Sequence, residues 1–216
     1  MNKKDEIYDL LVSRMVGAQY NFGQRLSVKD LVSDTGASRQ PIMAALNRLS
    51  SEGFVRIIPQ VGCEVINPSY DEIADFYIMF ERLEGLLTEL AAARRTDSQM
   101  RDLRALQARI LTIDFDEPRS AVIYCELNRA FHQLIHDMAQ SPFVGARQNS
   151  NFDMSDFFNQ AGSFNHFMAD TAREHDEIIE AIASKSPARA RGLAESHIGA
   201  VASSVLAGLR NHRAAA

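Results

Sequence analysis

The sequence predicts a two-part chain: an N-terminal winged helix-turn-helix with an α/β wing, followed by an all-α bundle of about six helices. Three observations carry this expectation. Residues 22–62 hold two short helical patterns, a tight turn between them, and then the β-rich run Phe54-Val55-Arg56-Ile57-Ile58, the order of a helix-turn-helix with a β-ribbon. From Tyr70 onward strand signals almost vanish, and apolar residues recur three and four apart in long segments, as in a helical bundle. Asn67-Pro68 reads as the linker between the halves. The expected division is therefore 1–66, a linker at 67–71, and a helical domain over 72–211.

In chain order, Ile7, Leu10, Leu11 and Met15 recur at helical spacing and form the apolar face of a first helix. Phe22-Gly23 makes a turn, and Leu26 begins the next apolar set. Ser27 is a good N-cap for a helix over Val28–Asp34, which breaks at Thr35-Gly36. Ser38 is placed to cap the following helix, with Pro41 in its first turn, where a missing amide costs little. Ile42, Ala45, Leu46 and Leu49 give that helix an inward face, and Gly53 ends it. Six further helical segments are expected near 71–95, 97–113, 117–140, 142–163, 166–185 and 187–211. Their breaks fall at Thr96, Asp116-Glu117-Pro118, Ser141-Pro142 and Ser186-Pro187.

Composition narrows the function. The chain has 216 residues, 46% hydrophobic and 24% charged, which suits a globular protein with a full core. Apolar runs are too short to span a membrane, and the start, Met1-Asn2-Lys3-Lys4-Asp5-Glu6, lacks the apolar segment of a signal peptide. Cys63 and Cys125 are too few and too far apart for a disulfide framework and are expected as reduced thiols, which points to the cytoplasm. The net charge of −5 divides unevenly: residues 1–70 hold eight Lys/Arg against seven Asp/Glu, and residues 71–216 fifteen against twenty-one. The first part is thus near neutral, a weak electrostatic footprint for tight non-specific DNA binding but compatible with a few local phosphate contacts.

The second helix of a helix-turn-helix lies in the DNA major groove. Arg39, Gln40, Met43 and Asn47 point outward from it. Arg39 can fork onto a guanine edge or a phosphate, and Gln40 can pair with adenine. Lys29, on the preceding helix, is placed to touch the backbone. Gly62 would let the wing approach the sugar-phosphate chain closely. In the second half, His132, His175 and His197 sit on apolar faces of three separate helices. A buried imidazole needs a partner, and three that converge would suit a divalent metal when neutral. Asn128, one turn before His132, adds an oxygen on the same face. His136, a turn beyond, could line a cavity. His166 and His212 are expected on the surface; Asp153 and Asp156 lie on a helix that could cover the cavity, with solvated charges the stronger reading of both. No Asp or Glu stands beside the histidines as a clear general base, so an enzyme is the weakest reading.

Residues 16–65 resemble the DNA-binding domain of the GntR superfamily of bacterial transcription regulators. The resemblance rests on G-x-x-x-x-x-G-x-x-L at Gly17 to Leu26, S-R-x-P-I-x-x-A-L at Ser38 to Leu46, L-x-x-E-G at Leu49 to Gly53, and V-G-C-E-V in the wing. It implies DNA contacts from Ser38-Arg39, Lys29 and Gly62. Met43 stands where the family usually has a second Arg, and Phe22 where it has Pro, the latter expected to matter little. Residues 72–210 are similar to the ligand-sensing (FCD) domain of the FadR-type branch, through N-x-x-F-H at Asn128 to His132, E-H-x-x-I-x-x-A-I from Glu174, and E-S-H-I from Glu195. That similarity implies zinc, nickel or a similar ion on Asn128, His132, His175 and His197, with Asn where Asp is common. It also implies a small-molecule effector of organic-acid type in a pocket reached by Phe80 and His136. Phe80 replaces the Arg that usually holds a carboxylate, which points instead to a less acidic or an aromatic-contacting effector, and Arg82 lies on a different face. The expectation is a cytoplasmic homodimer that reads pseudo-palindromic operators and is not an enzyme. The alternatives are a regulator for which the ion itself is the signal, and a metal-dependent enzyme.

Overall fold

The computed structural model describes residues 2–59, 62–117, 119–162 and 168–214, the side chains of 160–162, 168–170 and 211–214 excepted. Among the described residues the chain forms two compact units, residues 1–70 with 153–161, and residues 71–152 with 162–216. No helix is long and apolar enough to cross a membrane among those residues.

The first unit opens with α1 (Lys3–Val16), whose Ile7, Leu11 and Met15 are buried as their spacing predicts and which packs on α3. A two-residue strand, β1 (Arg25–Leu26), precedes α2 (Val28–Thr35). The Ser27 hydroxyl accepts from the Asp30 amide at 3.4 Å, and Gly36 ends α2 in the left-handed region at φ 64°. The second helix, α3 (Arg39–Ser51), buries Ile42, Ala45, Leu46 and Leu49. Ser38 takes the extended N-cap conformation, but its hydroxyl caps no amide, contrary to expectation. The wing is an antiparallel ribbon, β2 (Val55–Ile58) on β3 (Gly62–Val65), with Ile57 opposite Cys63. β1 pairs along the other edge of β3, giving the order β1-β3-β2. That strand has no period for the sequence to reveal, because two residues cannot show alternation.

Gly62 adopts φ +138°, and a Cβ there would meet the Leu26 carbonyl at 3.2 Å, so β1 and the wing close tightly only around glycine. Phe22 matters more than expected: its ring meets Phe157 edge-on at 5.0 Å. Phe157 in turn lies 6.2 Å from Phe54, so the 153–161 segment contributes aromatic packing to this unit.

The regular elements of the second unit among its described residues are all helices: α4 (Tyr70–Arg94), α5 (Asp97–Leu111), α6 (Ser120–Met138), part of α7 (Pro142–Gly162), α8 (Met168–Ala183) and α9 (Pro187–Ala214). Thr96 and Gln99 form a reciprocal capping box at the start of α5, which fixes the break expected at Thr96. α5 packs on α6 and α8, and α8 on α9. The core they share with α4 contains Leu87, Leu103, Phe131, Ile135, Ile178 and Ile182. Neither cysteine forms a disulfide; Cys63 is buried in the wing and burial pushes it up to about 11, while Cys125 is exposed on α6.

Candidate metal centre and DNA-reading face

Three helices bring His132 of α6, His175 of α8 and His197 of α9 together. One ring nitrogen from each lies within 4.8 Å of the others, and all three residues are buried. Ring centroids are 5.3 Å apart for His132 and His175, 4.9 Å for His175 and His197, and 5.4 Å for His132 and His197. The ring of Phe131 stacks on His175 at 4.0 Å and restrains it.

The outward nitrogen of each ring has its own acceptor. His132 Nδ1 lies 2.8 Å from Glu84 Oε1, His175 Nδ1 3.2 Å from Gln107 Oε1, and His197 Nδ1 2.7 Å from Glu174 Oε2. Gln107 is oriented unambiguously, since its amide nitrogen donates to the Ala172 carbonyl at 2.8 Å and to Asp176 at 3.0 Å. Its oxygen must therefore accept from His175. Each acceptor places the ring proton on Nδ1 and leaves a lone pair on Nε2. His132 Nε2, His175 Nε2 and Asn128 Oδ1 are all buried with no hydrogen-bond partner. Buried polar atoms are rarely left so. Two imidazole nitrogens without partners, with His197 beside them, are a donor set that fits a divalent ion, and Asn128, one helical turn before His132 on α6, carries a further buried oxygen without a partner.

Electrostatics favour the neutral forms of His175 and His132. Burial holds His175 well below the usual imidazole range, and the neighbouring His197 and His132 push it the same way. His132 is also lowered, by burial, against the pull of Glu84. Glu84 itself is 1% exposed. Burial opposes its charge, yet the attraction of His136 and His132 holds it well below the carboxylate range. It accepts from His136 Nε2 and from Gln148 Nε2, each at 2.9 Å, in addition to His132. For His136, burial lowers the value but the Glu84 carboxylate outweighs it, and the net shift is upward.

His136 is thus buried against Glu84. Phe80 is likewise buried, stacked on Phe76 at 5.8 Å and edge-on to Phe152 at 4.9 Å. Arg82 does not turn toward the histidines; it is a surface cation paired with Glu195 at 2.6 Å. Carboxylates do stand beside the histidines, contrary to expectation, but Glu84 and Glu174 are engaged at Nδ1 atoms. The sequence held a signal for two of the missed partners. Glu84 interrupts the buried stripe Phe80, Leu87, Ala91, and Gln107 interrupts Met100, Leu103, Ile110. A polar residue on an inward stripe needs a partner, and here the partner is a histidine. Asp153 and Asp156 are half-buried on α7, and the side chains of His166 and His212 lie outside the described residues.

In the first unit, Lys29, Ser38, Arg39, Gln40 and Asn47 are exposed, while Met43 and Gly62 are half-buried. Lys29, Arg39, Met43 and Gly62 line one groove between α2, α3 and the wing. Lys29, Arg39 and Met43 therefore share this groove with the wing, whereas Ser38, Gln40 and Asn47 do not line it.

A winged helix whose second helix leaves Arg39, Gln40 and Asn47 exposed fits the class of DNA-binding proteins. The chain belongs to the gntR family of bacterial regulatory proteins, matched over residues 3–65, in the branch carrying an FCD domain, matched over residues 75–200. It is 28% identical over 128 residues to the Nta operon transcriptional regulator of Aminobacter aminovorans, a match covering 58% of this chain and 60% of that protein. It is 28% identical over 135 residues to the transcriptional repressor RspR of Escherichia coli, covering 62% of this chain and 58% of the repressor. The chain thus spans about three-fifths of the length of these relatives. The E. coli McbR/YncC structure shares the fold with a TM-score of 0.76 at 16% identity, over 93% of this chain and 95% of that one.

Proposed function

We propose that this transcription regulator binds its operator under the control of a divalent ion held by Asn128, His132, His175 and His197, together with a small-molecule effector of organic-acid type. The observation that carries the reading is the convergence of three buried imidazoles whose Nδ1 atoms are occupied and of which two show partnerless Nε2 atoms. Zinc or nickel matches a site rich in neutral imidazole. Bound there, the ion would supply a Lewis-acidic centre for an anionic effector. The chain's own residues hold the rings: Glu84, Gln107 and Glu174 fix their tautomers and orientation. Lys29, Ser38, Arg39, Gln40, Met43 and Gly62 contact the DNA. The protein works in the cytoplasm as a homodimer on a pseudo-palindromic operator, matching its two-fold symmetry. Effector binding shifts the population between DNA-competent and incompetent arrangements, which requires different affinities for the two.

A second reading, in which the ion itself is the signal, is favoured by the burial of Phe80 and His136, which leaves both engaged in packing and hydrogen bonds. One experiment tests both. Metal content is measured by native mass spectrometry on the wild type and His132→Ala, and operator binding is measured with chelator, with added zinc or nickel, and with added small carboxylates. One ion per chain, lost in the variant, is expected. Binding that responds to carboxylate only in the metal-loaded protein supports the first reading; binding that follows the ion alone supports the second. A wild type that takes up no ion from zinc or nickel solutions sinks both.

A further inference from the structure

The groove between α3 and the wing has a volume of about 420 Å³, and its lining is chemically divided. Lys29 and Arg39 stand exposed at its edge, while Met43, Leu46, Ile57 and Ile58 supply an apolar wall. Met43 follows Arg39 by four residues on α3, so the two side chains share one face, one turn apart. Cations at the rim suit phosphates and guanine edges. The apolar wall suits neither.

We propose that Met43 determines operator specificity by packing on the C5-methyl group of a thymine, one helical turn along α3 from the base or phosphate taken by Arg39. The major groove offers one apolar feature among its base edges, and it is that methyl group. The thioether of Met43 carries no strong donor, so it cannot satisfy the N7 and O6 acceptors of a guanine brought against it. It is flexible and polarisable, and Ile57 and Ile58 line the same groove. A thymine there loses only apolar surface to the protein, whereas a guanine would lose water without gaining a donor.

The inference rests on α3 being the helix that reads DNA, and the test separates the two. Full-length protein selects its best duplex from a randomised pool, and each thymine of that duplex is then replaced singly by deoxyuridine, which lacks only the methyl. One replacement per half-site is expected to weaken wild-type binding about fourfold, the equivalent of one buried methyl group at ~0.8 kcal/mol. Met43→Ala should bind the thymine and deoxyuridine duplexes equally, and Met43→Leu, which keeps an apolar contact, should still distinguish them. Circular dichroism checks that both variants fold. If no replacement is felt by the wild type and ignored by Met43→Ala, the thymine assignment is overturned while DNA reading by α3 stands. If no duplex is enriched from the pool, the reading of α3 fails and the inference with it.

Discussion

His175 is wholly buried, stacked on Phe131 and hydrogen-bonded to a Gln107 whose own amide is fixed by two acceptors. Arg39 is exposed at the start of α3 and, among the described residues, makes no hydrogen bond or ion pair within the chain. The two positions represent two ways of building a binding site. In the helical unit, geometry is determined before any ligand arrives, and the low dielectric makes every unpaired polar atom costly. On α3 the side chains are free to adjust to DNA, and their energy comes from charges acting through solvent, where salt screens them. A substitution at the first site should therefore change intrinsic affinity with little dependence on salt. One at the second should change the salt response or the base preference.

The strongest way to break this contrast is at Glu84, which touches the candidate ligand His132 and would touch no ion itself. Glu84→Gln should weaken zinc or nickel binding about 10- to 100-fold, the range expected when a partner that orients a ligand is altered. Competition against a chelator of known affinity measures this; unchanged affinity would mean that the histidines are not preorganised by their outer partners.

On the exposed face, Arg39→Ala should weaken operator binding about tenfold, within the ~1–3 kcal/mol of a base-reading contact. Lys29→Ala should instead weaken all sequences alike and reduce the salt slope of log K by about 1. If both variants behave identically on operator and random DNA, the division of labour between them is wrong.

A separate expected effect is a pH dependence of metal-free stability. His175 has a depressed value in the folded state, whereas the unfolded imidazole titrates near its ordinary 6.5. Below that pH the unfolded chain binds the extra proton, so stability falls as the solution is acidified. His136 acts in the opposite sense: its raised value stabilises the fold below 6.5 and is lost as pH rises through the folded value. His175→Asn should flatten the acid-side slope by up to ~1.4 kcal/mol per pH unit, the worth of one proton. Denaturant titrations between pH 7 and 5 would show it, and an identical slope in the variant would indicate that the folded protein protonates His175 as readily as the unfolded chain.

Much of this arrangement was legible because it is periodic. The inward faces of α1 and α3, the starts of α5, α7 and α9, and the turn at Gly36 follow from spacing and capping residues that act within a few positions. Ser38 shows the limit even there: its residue type suits a cap, but no amide lies against its hydroxyl. β1 was invisible, since its two residues acquire meaning only when β3 lies beside them.

The same boundary runs through the candidate site. Residue type and helical phase alone placed His132, His175 and His197 on inward faces and Met43 on an outward one, because phase depends only on neighbours along one helix. Which acceptor each imidazole meets depends on helices distant in sequence: Glu84 comes from 48 residues before His132, and Gln107 from 68 before His175. Those pairings, and with them the nitrogen left free on each ring, were decided only by the packing of α4, α5, α6, α8 and α9, since a tautomer is selected by contact and no periodicity encodes it.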